Sequence, residues 1–170
     1  MKKVIALVLM AVMSVGFVQA QDKIGHINVD QLISLMPETK AAQTELEREA
    51  RALEQQLDEM QGELEAKVQK YRESEATMTD LTRETKYNEI QDLDRRIQDF
   101  QMKAQEQLQK KQEDLLIPVL EKAQNAISKV ANANGFTYIL DSSQSKGVVI
   151  FKGNGTDIMP LVKKELGITE

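Results

Sequence analysis

The sequence predicts an α+β chain in which a small β-sheet body carries one long antiparallel α-helical coiled-coil hairpin. Three observations point there. Residues 38–134 contain no glycine except Gly62 and no proline except Pro118. Within that run apolar residues recur at steps of four and three, through Leu46, Ala50, Leu53, Leu57, Met60, Leu64, Tyr71, Met78 and Leu81. A second series, Ile90, Leu93, Ile97, Phe100 and Ala104, repeats the spacing of a coiled-coil seam. Short strand-like segments bounded by turn residues lie in the flanks, 21–37 and 135–170.

Lys2 and Lys3 open the chain, followed by an apolar run from Val4 to Val18 and the closing Val18-Gln19-Ala20. This is the pattern of a secretory signal peptide over 1–20. The run is shorter than the ~20 residues a membrane span needs, and with no cysteine after the cleavage position a lipid-anchored form is excluded. The mature chain is expected to begin at Gln21 and to be exported and soluble. Taking Lys2 and Lys3 from the 22 basic residues leaves 20 against 27 acidic ones, an acidic balance that argues against a nucleic-acid binder driven by positive charge. Without cysteine there is no disulfide framework, so stability has to come from packing or assembly. With three Tyr, four Phe and no Trp, aromatic anchors for a ligand pocket are scarce.

Lys23 to Val29 reads as a strand, with Gly25, Ile27 and Val29 on one face and Ile24, His26 and Asn28 on the other. His26, the only histidine, has no partners nearby in sequence for metal or catalytic work and reads as a strand-surface side chain. Asp30 is the expected N-cap of a short helix, Gln31 to Met36, and Pro37 restarts the helix at an angle.

The hairpin, 38–134, reverses where poor helix formers gather: Thr77, Thr79, Asp80, Thr82 and Thr85 put the tip near 77–85. Reversal between Asp80 and Leu81 would set Leu46 against Leu115, Leu53 against Leu108, Leu64 against Ile97 and Tyr71 against Ile90. Registers shifted by whole heptads satisfy the same pattern. At ~1.5 Å per residue each arm would be roughly 60 to 75 Å long, far more than a core requires. The first arm is acidic, while Lys67, Lys70, Arg72, Arg83 and Lys86 slightly outnumber the carboxylates near the tip. That balance reads as solvated helix charge, with a contact site for anionic surfaces or clients as the alternative. Pro118 should bend the second arm near its base, and Gly135 should end it.

Phe136 to Leu140 and Val148 to Phe151 read as two further strands joined by a turn-rich segment. Gly153-Asn154-Gly155 is a turn, and Asp157 is the expected cap of a last helix, Ile158 to Leu166, with Pro160 in its first positions and Gly167 at its end. The hairpin returns Val29 and Gly135 to the same end, so the first strand can join the last two in one sheet. So small a core is marginal alone, and the body, 21–37 with 135–170, is expected to oligomerise.

Taken in order, the signal peptide, the strand followed by Asp30-Gln31-Leu32, the long charged hairpin, Phe136-Thr137-Tyr138-Ile139-Leu140-Asp141 and the closing Thr156-Asp157-Ile158 helix resemble the OmpH-like family of periplasmic chaperones. The resemblance covers essentially the whole mature chain and rests on the order of parts. It implies a homotrimer whose bodies form an intersubunit β-barrel. It also implies that the helical arms grip unfolded outer-membrane proteins in the periplasm, without ATP or any cofactor, and prevent their aggregation. Familiar members are strongly basic whereas this chain is acidic, so a basic lipopolysaccharide site is not carried over and membrane contact is left open.

Met60, Tyr71, Met78 and Leu81 are the candidate client contacts, since methionine-containing apolar surface suits many partners. The competing reading of each is packing in the hairpin seam. A non-enzymatic coiled-coil spacer or adaptor of the cell envelope is the alternative function; it predicts a stable partner surface and no binding of unfolded chains. An enzyme fits worst, because one histidine, no cysteine and carboxylates on solvated helix faces offer no catalytic grouping.

Overall fold

The computed structural model describes residues 22–168, so the expected signal peptide lies outside the described residues. In chain order the elements are β1 (Ile24–Ile27), α1 (Val29–Leu35), α2 (Pro37–Ser74), α3 (Asp80–Ala133), β2 (Tyr138–Asp141), β3 (Thr156–Asp157) and α4 (Met159–Leu166), with a 3-10 turn, Glu75–Thr77, between the two long helices.

Two helices of 38 and 54 residues make up most of the chain. The expected seam positions Leu46, Leu53, Leu57, Met60, Leu64, Ile90, Phe100, Ala104, Leu108 and Leu115 are all partly shielded, and Leu93 and Ile97 are buried, whereas most intervening positions are open. That is the outcome of a stripe with a period near 3.5 on helices that shield only one face. Side-chain pairs tie the helices together: Lys111 to Glu45, Gln107 to Glu49 and Lys67 to Glu89. Moving 22 residues up α2 from Glu45 to Lys67 moves 22 residues down α3 from Lys111 to Glu89. At the body end Lys122 meets Glu38. Tyr71 and Ile90 line one cleft between the helices, and Leu46 and Leu115 line another.

The helix is interrupted at Glu75–Thr79, at the start of the threonine-rich stretch rather than across it. Thr79 decides this by capping α3, its Oγ1 accepting from Thr82 N at 3.3 Å. Thr85, once inside the helix, turns its hydroxyl back to Leu81 O at 2.8 Å. Pro118 stays within α3, which continues to Ala133.

The body sheet has the order β2-β1-β3, with β1 parallel to both neighbours. Ile24 pairs with Tyr138 and Ile27 with Asp141 on one side; Gly25 pairs with Thr156 and His26 with Asp157 on the other. A central parallel strand is covered on both faces, and this corrects the expectation for His26, which is 8% exposed rather than on the surface. Two further expectations are corrected. Val148–Phe151 is not a strand within this chain: Val148, Ile150 and Phe151 are 65, 97 and 86% exposed, and the third strand is Thr156–Asp157. Both sides of β1 are taken by β2 and β3, so the apolar run does not reach the central strand. The first helix starts earlier than expected and is capped by Asn28, whose Oδ1 accepts from Gln31 N at 2.9 Å; Asp30 instead accepts from Ser145.

The core sits where the body meets the base of the long helices. Ile27, Leu32, Met36, Val119, Ala123, Ile127, Val130, Ile158 and Val162 form one buried cluster. Gly135 takes the expected left-handed conformation at φ 66° after α3. Lys23 secures the same corner, with Nζ 2.8 Å from Asn134 O and 4.2 Å from the centre of the Phe136 ring.

Candidate functional site

The residues expected to meet a client fall into two groups. Tyr71 and Met78 line one cleft of about 250 Å³ at the far end of the long helices, together with Lys67, Lys70, Ser74, Lys86, Glu89 and Ile90. The seam brings them there: Tyr71 occupies a seam position in the last turns of α2, and Met78 sits in the break, its N–H bonded to Glu75 O at 3.3 Å. Leu81, in the first turn of α3, lies outside this cleft and is 75% exposed. Met60 is half-buried in the seam about three turns before Tyr71 and is not part of the cleft.

Tyr87 was missed in the sequence, and it completes the aromatic side of the tip. Its ring centroid is 6.5 Å from that of Tyr71, inclined at 49°. It lies off the periodic series, and only its placement across the break from Tyr71 could have signalled it. Shielding of the Tyr71 phenol and the adjacent Glu75 carboxylate, which accepts from Tyr71 Oη at 3.3 Å, push its pKa up. Cations flank the rings. Lys86 Nζ lies 3.0 Å from Glu89, and Lys67 bridges Glu89 at 3.6 Å and Glu63 at 3.7 Å. The hydrogen bond from Lys86 is the main reason the Glu89 carboxyl sits below its ordinary range. Arg83 braces the turn, with Nη1 3.0 Å from Asp80 and Nη2 3.5 Å from Met78 O. Chemically the tip is an amphipathic surface: two phenol rings, a thioether and aliphatic carbons, edged by ammonium groups.

At the opposite end the body has two contrasting surfaces. One is made of separate open apolar side chains, Tyr138 of β2 at 61% and Val148, Ile150 and Phe151 in the segment ahead of β3. The other is a polar clamp that binds α1 to the end of β2. Asp141 Oδ1 accepts from Ser143 N at 2.9 Å, Ser143 Oγ at 2.6 Å and Val29 N at 3.4 Å, and Ser143 Oγ accepts from Asp30 N at 3.1 Å. Burial would raise the Asp141 carboxyl, but the Ser143 and Val29 donors outweigh it and hold the group below its usual value. Among the described residues no group of three or more His, Cys, Asp or Glu is placed to hold a metal ion, and no helix is long and apolar enough to cross a membrane.

Residues 23–166 match the model of a family described as outer membrane protein (OmpH-like). The chain is 27% identical over 152 residues to chaperone protein Skp of Pectobacterium atrosepticum, covering 88% of each chain. It is 29% identical over 153 residues to chaperone protein Skp of Photorhabdus laumondii subsp. laumondii, covering 88% of this chain and 90% of that one. Among solved structures an OmpH-like protein of Caulobacter crescentus CB15 shares the fold with a TM-score of 0.74 at 16% identity, over 86% of this chain and 85% of the other.

Proposed function

This chain belongs to the OmpH-like family and is a chaperone rather than an enzyme, and from that premise we propose that it holds unfolded outer-membrane proteins in the periplasm without ATP. The single observation that carries the reading is the mismatch between helix length and core. The main buried cluster is at the body end, while α2 and α3 run on for many turns with a single shielded stripe between them. Helices that long are not needed to stabilise so small a body; they extend surface into solvent, where a client can be kept apart from other clients.

In this reading α2 and α3 form an antiparallel coiled-coil hairpin, and three copies join through their bodies so that three hairpins surround one space. The open apolar side chains Val148, Ile150 and Phe151 support assembly, since a run this exposed and this apolar suits an edge that pairs with another chain. Within the assembly that stretch pairs with another chain as a strand of an intersubunit barrel. Tyr71, Met78, Leu81 and Met60 are the proposed client contacts, of which Leu81 and the tip cleft offer the most accessible apolar surface.

Native mass spectrometry of the chain from Gln21, alone and after dilution of a urea-unfolded outer-membrane β-barrel protein, tests the proposal. A trimer that captures one client chain is the expected result. A monomer or dimer that ignores the client would sink the reading in favour of an envelope spacer.

A further inference from the structure

The chain carries two Asn-Gly pairs, Asn134-Gly135 and Asn154-Gly155. In such a pair the glycine nitrogen can close on the asparagine side-chain carbon, because no Cβ shields its approach and the backbone is free to turn. The structure puts the two pairs in different situations. Asn134 ends α3 with both of its donors engaged, its backbone N–H 3.1 Å and its Nδ2 2.8 Å from Val130 O. Asn154 lies in the exposed turn that leads into β3, and its side-chain amide has no partner among the described residues.

The turn also restricts the residue after Asn154. A Cβ at position 155 would stand 2.9 Å from Lys152 O and 3.2 Å from His26 Cδ2, so only glycine fits where the chain folds over His26. The residue required by packing is thus the one that leaves the reacting nitrogen unshielded. Both glycine nitrogens carry a turn hydrogen bond, Gly155 to Lys152 O at 2.9 Å and Gly135 to Asn132 O at 3.3 Å. Those bonds do not favour Asn154; the freedom of its side chain does.

We propose that Asn154 is a site of spontaneous deamidation in the folded chain and that Asn134 is protected. Gly155 N gives up its proton to solvent base and attacks Asn154 Cγ. The new C–N bond forms as the side-chain nitrogen leaves as ammonia, giving a succinimide. Water then opens the ring at either carbonyl, yielding aspartate or isoaspartate; one water is consumed and one ammonia released, with no oxidant or enzyme. Isoaspartate lengthens the main chain by one methylene directly ahead of β3. That strand has two residues, and its pairing with Gly25 and His26 is continued by Ile158 N, which donates to His26 O at 3.0 Å. A longer turn puts this pairing out of step and loosens the body edge beside Val148–Phe151.

The test incubates the full chain in mild alkali, folded and in urea, and follows amide loss at both asparagines by peptide mass spectrometry. In the folded chain Asn154 converts about tenfold faster than Asn134, where a hydrogen bond has to open first; in urea the difference narrows. Hydrogen exchange at the Ile158 amide quickens in the isoaspartate form and not in an Asn154→Gln variant given the same treatment. An Asn154 that converts no faster than Asn134 in the folded chain overturns the site. Conversion that leaves exchange at Ile158 unchanged overturns its proposed effect on β3. Neither readout involves client binding, so failure here is separate from failure of the chaperone reading.

Discussion

Lys111 Nζ lies 3.2 Å from Glu45 Oε1, joining two residues 66 positions apart across the two long helices. Lys111 also holds the Glu45 carboxyl below its ordinary range, chiefly through that hydrogen bond. Both groups face solvent, where ion pairs are screened and their ordering entropy offsets much of the attraction. Glu45→Gln is therefore expected to leave the urea midpoint close to that of the parent chain. A large drop would mean that charge pairs, not the seam, hold the helices together.

The seam should behave differently. Leu93 is 3% exposed on a stretch of α3 whose other faces are open to water. Leu93→Ala is expected to destabilise by about 2–5 kcal/mol, the range for emptying a buried leucine site, with the lower end favoured because only two helices surround it. Chemical denaturation followed by circular dichroism measures this. A negligible change would show that the arms separate readily at that level.

Asp141 gives the body a pH dependence whose sign is set by its partners. Its folded carboxyl is held below the ordinary value by Ser143 and Val29 against the opposing effect of burial. A depressed carboxylate contributes stability that is fully present above its unfolded pKa of about 4 and is lost as pH falls through the lower folded value. Unfolding midpoints should be flat with respect to this group near neutrality and fall below about pH 4. Asp141→Asn should be less stable at neutral pH and should show a shallower acid limb. An unchanged acid limb would remove Asp141 from the account.

Client capture should be sensitive to the tip without a matching loss of fold. Paired substitution Tyr71→Ser with Met78→Ser removes both proposed contacts from the cleft. The expected outcome is weaker capture of an unfolded β-barrel protein, by severalfold in dissociation constant, since each lost apolar contact of this size is worth about 1 kcal/mol or more. Capture unchanged at equal stability would assign clients to other surfaces.

Assembly should depend on the open apolar run. Ile150→Glu places a charge on a side chain that is 97% exposed, so the isolated fold has little to lose. Sedimentation is expected to show dissociation toward the monomer with helicity retained. A variant that keeps the parent's oligomeric state would exclude this edge from the interface.

The elements behind these expectations are legible in the chain to different degrees. The long helices and their shielded stripe are, because a helical seam is written in steps of three and four and each turn is satisfied by neighbours already at hand. Gly135 after α3 and Pro160 at the start of α4 are legible for the same local reason, as is an interruption of the helix by the threonine-rich stretch. The break itself is set by which of several threonines does the capping, and that choice needs the folded backbone.

The sheet is another matter. Ile24 finds its partner at Tyr138 and Gly25 finds another at Thr156, more than a hundred residues away. Alternation along a strand says which side chains share a face, not which distant segment will bond to its edge. Val148–Phe151 has the better strand composition, yet Thr156–Asp157 takes the place beside β1. Tertiary structure likewise puts His26 under the Lys152–Gly155 turn and gives Asn28, not Asp30, the cap of α1. It also places Tyr87 against Tyr71. Residue order alone dictates the elements whose bonds close within a few residues, together with the acidic, cysteine-free character of the chain. Contacts between segments far apart are decided when the fold brings them together, because the free energy of those contacts depends on neighbours that no local window contains.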